Sequence, residues 1–508
     1  MSDADFRPLS LPLATIGIAL ATFMQVLDTT IANVALPTIA GNLGVSSDQG
    51  IWVITSFSVC NAIALPLTGW CSRRFGPIKL FSVAIGLFSI TSFLCGMAQS
   101  MPQLIFFRAL QGFFAGPLFP MSQTLLLAIF PKAKRGLALA LISMLTVVAP
   151  IVGPITGGWI TDNYTWPWIF FINVPIGVFA IFVVLTQLRG MPEKIVKSPI
   201  DYIGLMLLVL GVGTLQVVLD KGNDLDWFES HFILWMSLIA GVALTCFVIW
   251  ELTEKNPIVK LNLFKDRNFT IGTLVLVLGY SAFFSINIIL PQWLQTQMGY
   301  TAIWAGLAAA PMGIIPFFLA PIVGNYAHRF DLRLLTSISF TVISSSCFIR
   351  ALFNTDIDFR HIAEVQLYMG IGVAMFFMPL TSILLSKLSG PDIADGSGLA
   401  TFLRTLGASF ASSLTTWIWN RREVFHHANI NENVSIYNQN TLDYLHSVGG
   451  ITQQNLASVD NQIVQQAYMM STIDYFTLLG WIFLAMIVLI WFAKPPFIMA
   501  AKGTSSGH

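Results

Sequence analysis

The sequence predicts an all-α polytopic membrane protein: fourteen transmembrane helices, arranged as two six-helix bundles with two further helices inserted between them. Three observations point there. Of the 508 residues 55% are hydrophobic and only 10% are charged, against about 25% charged in soluble chains. The apolar residues fall in continuous runs, each near the ~20 residues that a helix needs to cross a bilayer. One stretch also recurs. Pro66-Leu67-Thr68-Gly69-Trp70-Cys71-Ser72-Arg73-Arg74-Phe75 is echoed by Pro321-Ile322-Val323-Gly324-Asn325-Tyr326-Ala327-His328-Arg329-Phe330, with Pro, Gly, Arg and Phe in register. Many transporters are built from such repeats, with the site near the midplane between them. A net charge of +1 gives no field that would draw nucleic acid.

Lipid admits only helices or closed barrels as spanning forms, and runs this long are helices. The spans fall at 12–36, 51–71, 79–98, 103–129, 138–160, 168–188, 201–220, 232–252, 269–290, 303–326, 333–353, 362–386, 397–420 and 473–493. The repeat then divides the chain into an N-terminal bundle (1–188), a linker with two extra helices (189–268) and a C-terminal bundle (269–508). The last bundle is interrupted by a polar outer loop at about 421–472. Lys and Arg cluster on one set of connections, among them Arg73, Arg74, Lys79, Lys132, Lys134, Arg135, Lys255, Lys260, Lys265 and Arg267. The opposite set carries Lys221, Arg360, Arg421 and Arg422. The positive-inside rule therefore puts both termini in the cytoplasm.

The first span holds Asp28, with Gln25 one helical turn before it and Asn33 five residues after it. A carboxylate at membrane depth costs about 2.5–3.5 kcal/mol on insertion scales, so it faces a protein interior or a wet cavity and marks a pathway for ions or substrate. The alternative is an acid that only hydrogen-bonds a neighbouring helix. The turn after the second span carries Gly69, Arg73, Arg74 and Gly76. Topogenic charge explains the arginines but not the glycine spacing. The fourth span holds Arg108 and, one turn on, Gln111. Arg108 either snorkels to the interface or lies buried, where it needs an anion or carbonyls, and a cation on a cavity wall favours the ionised form of a nearby carboxylate. The fifth span concentrates Pro150, Gly153, Pro154, Gly157 and Gly158. Prolines break the backbone ladder, and Gly-x-x-x-Gly lets another helix approach closely.

In the second half, Tyr280, Phe284, Asn287 and Arg404, with Gln25, Asn33, Asn61 and Gln111 from the first, are candidate substrate-binding residues for an apolar, aromatic site with few polar groups. Each amide could equally serve an interhelical hydrogen bond. Glu364, at the start of span twelve, is a second candidate proton site beside Asp28 and Arg108. The outer loop carries His426, His427 and an Asn433-Val434-Ser435 acceptor pattern. Two adjacent histidines fall short of the four ligands of a structural metal site, so no metal is expected. The five cysteines stand singly, as small apolar residues do.

Taken together, Leu27 through Pro37, Arg108 through Gly116 and Gly153-Pro154-Ile155-Thr156-Gly157-Gly158 resemble the signatures of the major facilitator superfamily, and within it the fourteen-helix drug:proton antiporters. The resemblance spans nearly the whole chain. Phe377-Met378-Pro379-Leu380-Thr381, Arg404-Thr405-Leu406-Gly407, Asn420-Arg421-Arg422-Glu423, His426-His427-Ala428 and Trp491 through Phe497 look like inner-membrane multidrug exporters of that subfamily. One departure is Arg73, where the superfamily often has Asp. The resemblance implies a major facilitator fold and efflux of hydrophobic drugs across a bacterial inner membrane. Protons would drive it, with no cofactor beyond the proton gradient. It also implies a tripartite pump, with a periplasmic membrane-fusion adaptor and an outer-membrane channel as partners. The outer loop would then be an adaptor contact. A membrane enzyme would need a catalytic cluster at membrane depth, and none is seen. An exporter or importer of a specific metabolite on the same fold is the alternative.

Overall fold

Apolar runs that open on a proline or a capping side chain turn this chain into helix after helix. The computed structural model describes residues 8–45, 50, 52–131, 134–192, 195, 199–388, 391–432, 434, 438–447 and 450–497. The side chains of Val34, Pro37, Ile151, Pro154, Asp162, Ala302, His328 and Pro391 are outside that description. The helices are α1 Leu11–Asn42, α2 Trp52–Phe75, α3 Pro77–Gly96, α4 Met101–Ala115, α5 Leu118–Ile129, α6 Arg135–Asn163, α7 Trp168–Phe171 and α8 Asn173–Gln187. They continue with α9 Tyr202–Lys221, α10 His231–Thr253, α11 Arg267–Thr296, α12 Ala302–Ala309, α13 Pro311–Tyr326, α14 Leu332–Arg350, α15 Phe359–Ala374 and α16 Phe377–Leu385. The last three are α17 Pro391–Asn431, α18 Gln439–Ser447 and α19 Gln453–Ile490.

Prolines sit in the first turn of α1, α3, α4 and α13, where a missing N–H leaves no bond unmade. Asp201, Asp266, Asp331 and Asp358 accept backbone N–H bonds at the starts of α9, α11, α14 and α15, as capping acids do. Several of the scarce acids thus lie at helix ends, which makes an acid inside a helix the more conspicuous.

Thirteen stretches among the described residues are long and apolar enough to cross a membrane. They coincide with every expected span except 397–420. That span lies inside α17, a 41-residue helix whose Ser, Thr and Arg404 dilute its apolar character. α17 still packs along α11, α19 and α2, within the bundle. Helices α1 to α8 pack chiefly on one another, as α1 on α6 and α2 on α4, and α11 to α19 do likewise, as α11 on α17 and α14 on α19. The hairpin α9–α10 lays α9 against both α2 and α17. The two groups meet along two seams, one between α6 and α12, α13 and α16, the other between α17 and both α2 and α5.

The stretch 421–472 is largely helical, not the polar loop expected of it. α17 runs on to Asn431, α18 follows, and α19 starts at Gln453 before entering its apolar part. The physical reason is cooperativity: a helix already formed extends cheaply, whereas nucleating one is costly. Asp474 of α19 pairs with Arg422 of α17 and lies 2.7 Å from His426 Nε2, so the two extensions are tied at their base. Asn433 and Ser435 of the acceptor pattern lie outside the described residues.

Candidate functional site

Asp28 is the centre of a closed polar cluster. Its carboxylate is fully buried, as are Arg108, Gln111 and Asn173. Arg108 Nη1 donates to Asp28 Oδ2 at 2.5 Å. Gln111 Nε2 and Asn173 Nδ2 donate to Oδ1 at 2.9 and 2.8 Å. Gln111 Oε1 accepts in turn from Arg108 Nη1 at 2.8 Å, and Arg108 Nε donates to the Val53 carbonyl at 3.2 Å. The guanidinium carbon lies 4.2 Å from the centroid of the Phe57 ring. A buried charge pair needs such further hydrogen bonds to offset its desolvation. The cluster gathers α1, α2, α4 and α8 at one point. Asn173, and Ser92 behind it at 3.0 Å, escaped the sequence reading. Asn173 carries the same signal as Asp28, a polar side chain in an apolar run, here Phe170-Phe171-Ile172-Asn173-Val174.

The fifth-span glycines support the same helix. A Cβ on Gly153 would lie 2.0 Å from Thr30 Oγ1, and one on Gly157 would lie 2.8 Å from Ile31 Cγ1. Both neighbours lie within one turn of Asp28. α6 therefore presses on α1 where α1 bears its acid. Gly158 faces Ile303 of the second group at 3.7 Å, and Pro150 lies half-buried in an unbroken helix. Pro154 is helical, but its side chain lies outside the description.

Other predicted residues are distributed differently. Tyr280, Phe284 and Arg404 come together: the two rings stack with centroids 6.0 Å apart, and Arg404 lies 4.8 Å from the Tyr280 centroid. Asn287 donates to its own helix, to the Phe283 carbonyl at 2.8 Å. Gln25 and Asn61 are buried, each with a side-chain oxygen lacking a hydrogen-bond partner. Asn33 is exposed and apart from the cluster. Five residues turn a helix by about 140° from Asp28, which points it elsewhere. Glu364 is also not part of the site. It is exposed and pairs with Arg360 Nε at 2.8 Å, as a surface residue one turn away does.

The turn after α2 makes the contact between the two groups. Arg73 pairs with Asp395 in the first turns of α17. Lys260, from the segment after the inserted hairpin, reaches Asp395 Oδ2 at 2.8 Å and Asp392 Oδ1 at 2.7 Å. The acid missing from the turn is thus supplied from the opposite group, with the charges exchanged. Burial works against the charge on Lys260, but its hydrogen bonds to Asp392 and Asp395 push its proton affinity above the usual lysine range. A Cβ on Gly69 would fall 1.9 Å from Asp395 Oδ1. Its echo, Gly324, abuts Gly136 of α6, where a Cβ would fall 2.7 Å from the carbonyl oxygen. Both echoed glycines therefore lie where the two groups touch. Gly76 caps α3 at a φ of 89°, a left-handed conformation that glycine adopts readily.

Residues 18–412 match the family described as Major Facilitator Superfamily. The chain is 50% identical over 502 residues to the "Multidrug export protein EmrB" of Escherichia coli K12, covering 98% of each. It is 46% identical over 505 residues to the "Fatty acid resistance protein FarB" of Neisseria gonorrhoeae, covering 98% of this chain and 100% of that one. Among solved structures it superposes on the proton:xylose symporter XylE with a TM-score of 0.59 at 14% identity, over 95% of both chains. At that identity the likeness is one of fold.

Proposed function

The chain belongs to the major facilitator superfamily, and from that premise we propose that it exports hydrophobic drugs across the bacterial inner membrane by exchanging them for protons at Asp28. It is a multi-pass secondary transporter rather than an enzyme. Relatives named for multidrug export and fatty acid resistance support export of apolar small molecules.

The observation that carries the coupling is the Asp28 cluster. Both carboxylate oxygens accept from nitrogen donors, which ties α1 to α4 and α8 through one side chain. A proton on the carboxylate removes the charge that Arg108 pairs with, so proton binding loosens α1 from α4. Asp28 is fully enclosed in this conformation, so exchange with water waits for the groups to move. Rocking of one group against the other exposes a midplane site to each side in turn. One charge crossing 100 mV is worth ~2.3 kcal/mol.

In this reading the division at 188/189 and 268/269 separates the rocking bundles from the linker, and the Arg73 end faces the cytoplasm. The helical extensions of α17 and α19 then face the periplasm, where they meet a membrane-fusion adaptor and, through it, an outer-membrane channel. Asp28→Asn keeps the shape of the side chain and removes the titrating group. In proteoliposomes it is expected to abolish drug-dependent proton flux, with the protein still folded by thermal melting. Wild-type flux from Asp28→Asn would refute the coupling.

A further inference from the structure

Arg404 is a half-buried cation that the coupling cluster does not use. Its guanidinium lies 4.4 Å from the centroid of Phe119, on α5 of the first group, and 4.8 Å from that of Tyr280, on α11 of the second. Its Nε is buried without a hydrogen-bond partner. Among the described residues no carboxylate pairs with it, and the sequence explains why. No Asp or Glu occurs between Asp266 and Asp331, between Glu364 and Asp392, or between Asp395 and Glu423. The helices around Arg404 therefore have no acid at its depth. Asp28 is already held by Arg108.

Arg350, a fully buried arginine of the second group, is a useful contrast. It donates to the Ser346 carbonyl and hydroxyl at 3.0 and 2.9 Å, and to Gln366. Its guanidinium is hydrogen-bonded by its own surroundings, whereas that of Arg404 rests on two rings and leaves Nε unbonded. A guanidinium packed on ring faces keeps its N–H edge for in-plane acceptors, and a carboxylate matches that edge with two parallel hydrogen bonds. The cleft beside Arg404 is lined by Gln123, Thr381, Ser397 and Thr401, with Phe119 and Leu276 as its apolar walls. Its free space is about 10 Å³, the room of about one water. A larger occupant must part α5 from α17, where Ser397 donates to Gln123 across the seam.

We propose that Arg404 is the specificity-determining residue for the anionic head of amphipathic substrates, and that the cleft between α5 and α17 takes a carboxylate joined to an apolar body. This rests on the export reading and narrows its substrate class. Binding there engages both groups at once, so the anion is read where the seam opens.

The test uses a matched pair of fluorescent probes, 1-pyrenebutyrate and its carboxamide, with the full chain in nanodiscs at neutral pH and empty nanodiscs as blank. The wild-type protein is expected to bind the carboxylate at least tenfold more tightly than the carboxamide. Arg404→Gln is expected to bring that ratio near one, and Arg404→Lys to restore part of it. A wild-type ratio near one overturns the inference without recourse to any variant, and so does an unchanged ratio in a folded Arg404→Gln protein. Export of both probes against a proton gradient with no carboxylate preference removes this inference and leaves the export reading standing. Export of neither removes both.

Discussion

Asp28, Arg108, Gln111 and Asn173 depend on one another so closely that each has a separate, measurable weight. Arg108→Gln leaves a buried carboxylate without its cation, and breaking such a pair costs about 3–5 kcal/mol. The expected result is a lower melting temperature with export lost. Asn173→Ala removes one hydrogen bond to a charged group, about 1.5–3 kcal/mol, and is expected to reduce export without abolishing it. Uptake into inside-out vesicles measures both. Asp28, Arg108 and Gln111 were legible because each is polar within an apolar run. Asn33 and Glu364 satisfied the same criterion and lie elsewhere. Composition gives depth, while helical phase and the position of the helix end decide which way a side chain looks.

At the scale of elements, the echoed glycines set how closely the two groups meet. A methyl at Gly69 would collide with Asp395, and one at Gly324 would collide with the backbone of Gly136. Gly324→Val is expected to hold the Arg73 end apart. Cross-linking of cysteines placed in α6 and α13 at that end should fall, and so should turnover. The Arg73–Asp395 pair gives a sharper check. Arg73→Asp and Asp395→Arg singly set like charges together, and combining them restores that pair but sets a second cation against Lys260, so the double variant is expected to recover part of the export that each single variant loses. The Lys260 link stays in force at physiological pH. A lysine with raised affinity stabilises below its unfolded value, and the contribution fades only as pH climbs through its still higher folded value. The sequence marked the turn but not its partner. Asp395 lies more than three hundred residues away, and only the packing of α17 beside α2 brings it in. The outer stretch misleads for a different reason: polarity reads as the sign of a loop, whereas a helix leaving a membrane keeps its form while its surface turns polar.

For the whole molecule, thirteen of the fourteen expected spans match apolar helices among the described residues, and their succession was readable because lipid enforces long apolar runs. The position of the inserted hairpin was not, since a lipid-facing helix carries little pattern. It is fixed by a few polar contacts, such as Gln216 Nε2 to Ser409 Oγ at 3.0 Å and Asn223 Nδ2 to the Ser413 carbonyl at 3.1 Å. Removing residues 430–465 is expected to leave the membrane bundle folded and to end cross-linking to a periplasmic adaptor. Retained cross-linking would locate that contact elsewhere.

α17 is one helix of 41 residues, about 60 Å at 1.5 Å per residue, in a bilayer whose hydrocarbon is about 30 Å thick. With the 397–420 span inside the bilayer, the remaining turns to Asn431 would form a rigid mast of about 15 Å beyond it, braced at its foot by Asp474 against Arg422 and His426. Each degree of tilt of the second group about the bilayer midplane would sweep its far end through about 0.6 Å. A small angular stroke within the bilayer would thus arrive outside as a displacement large enough to push on whatever rests against it.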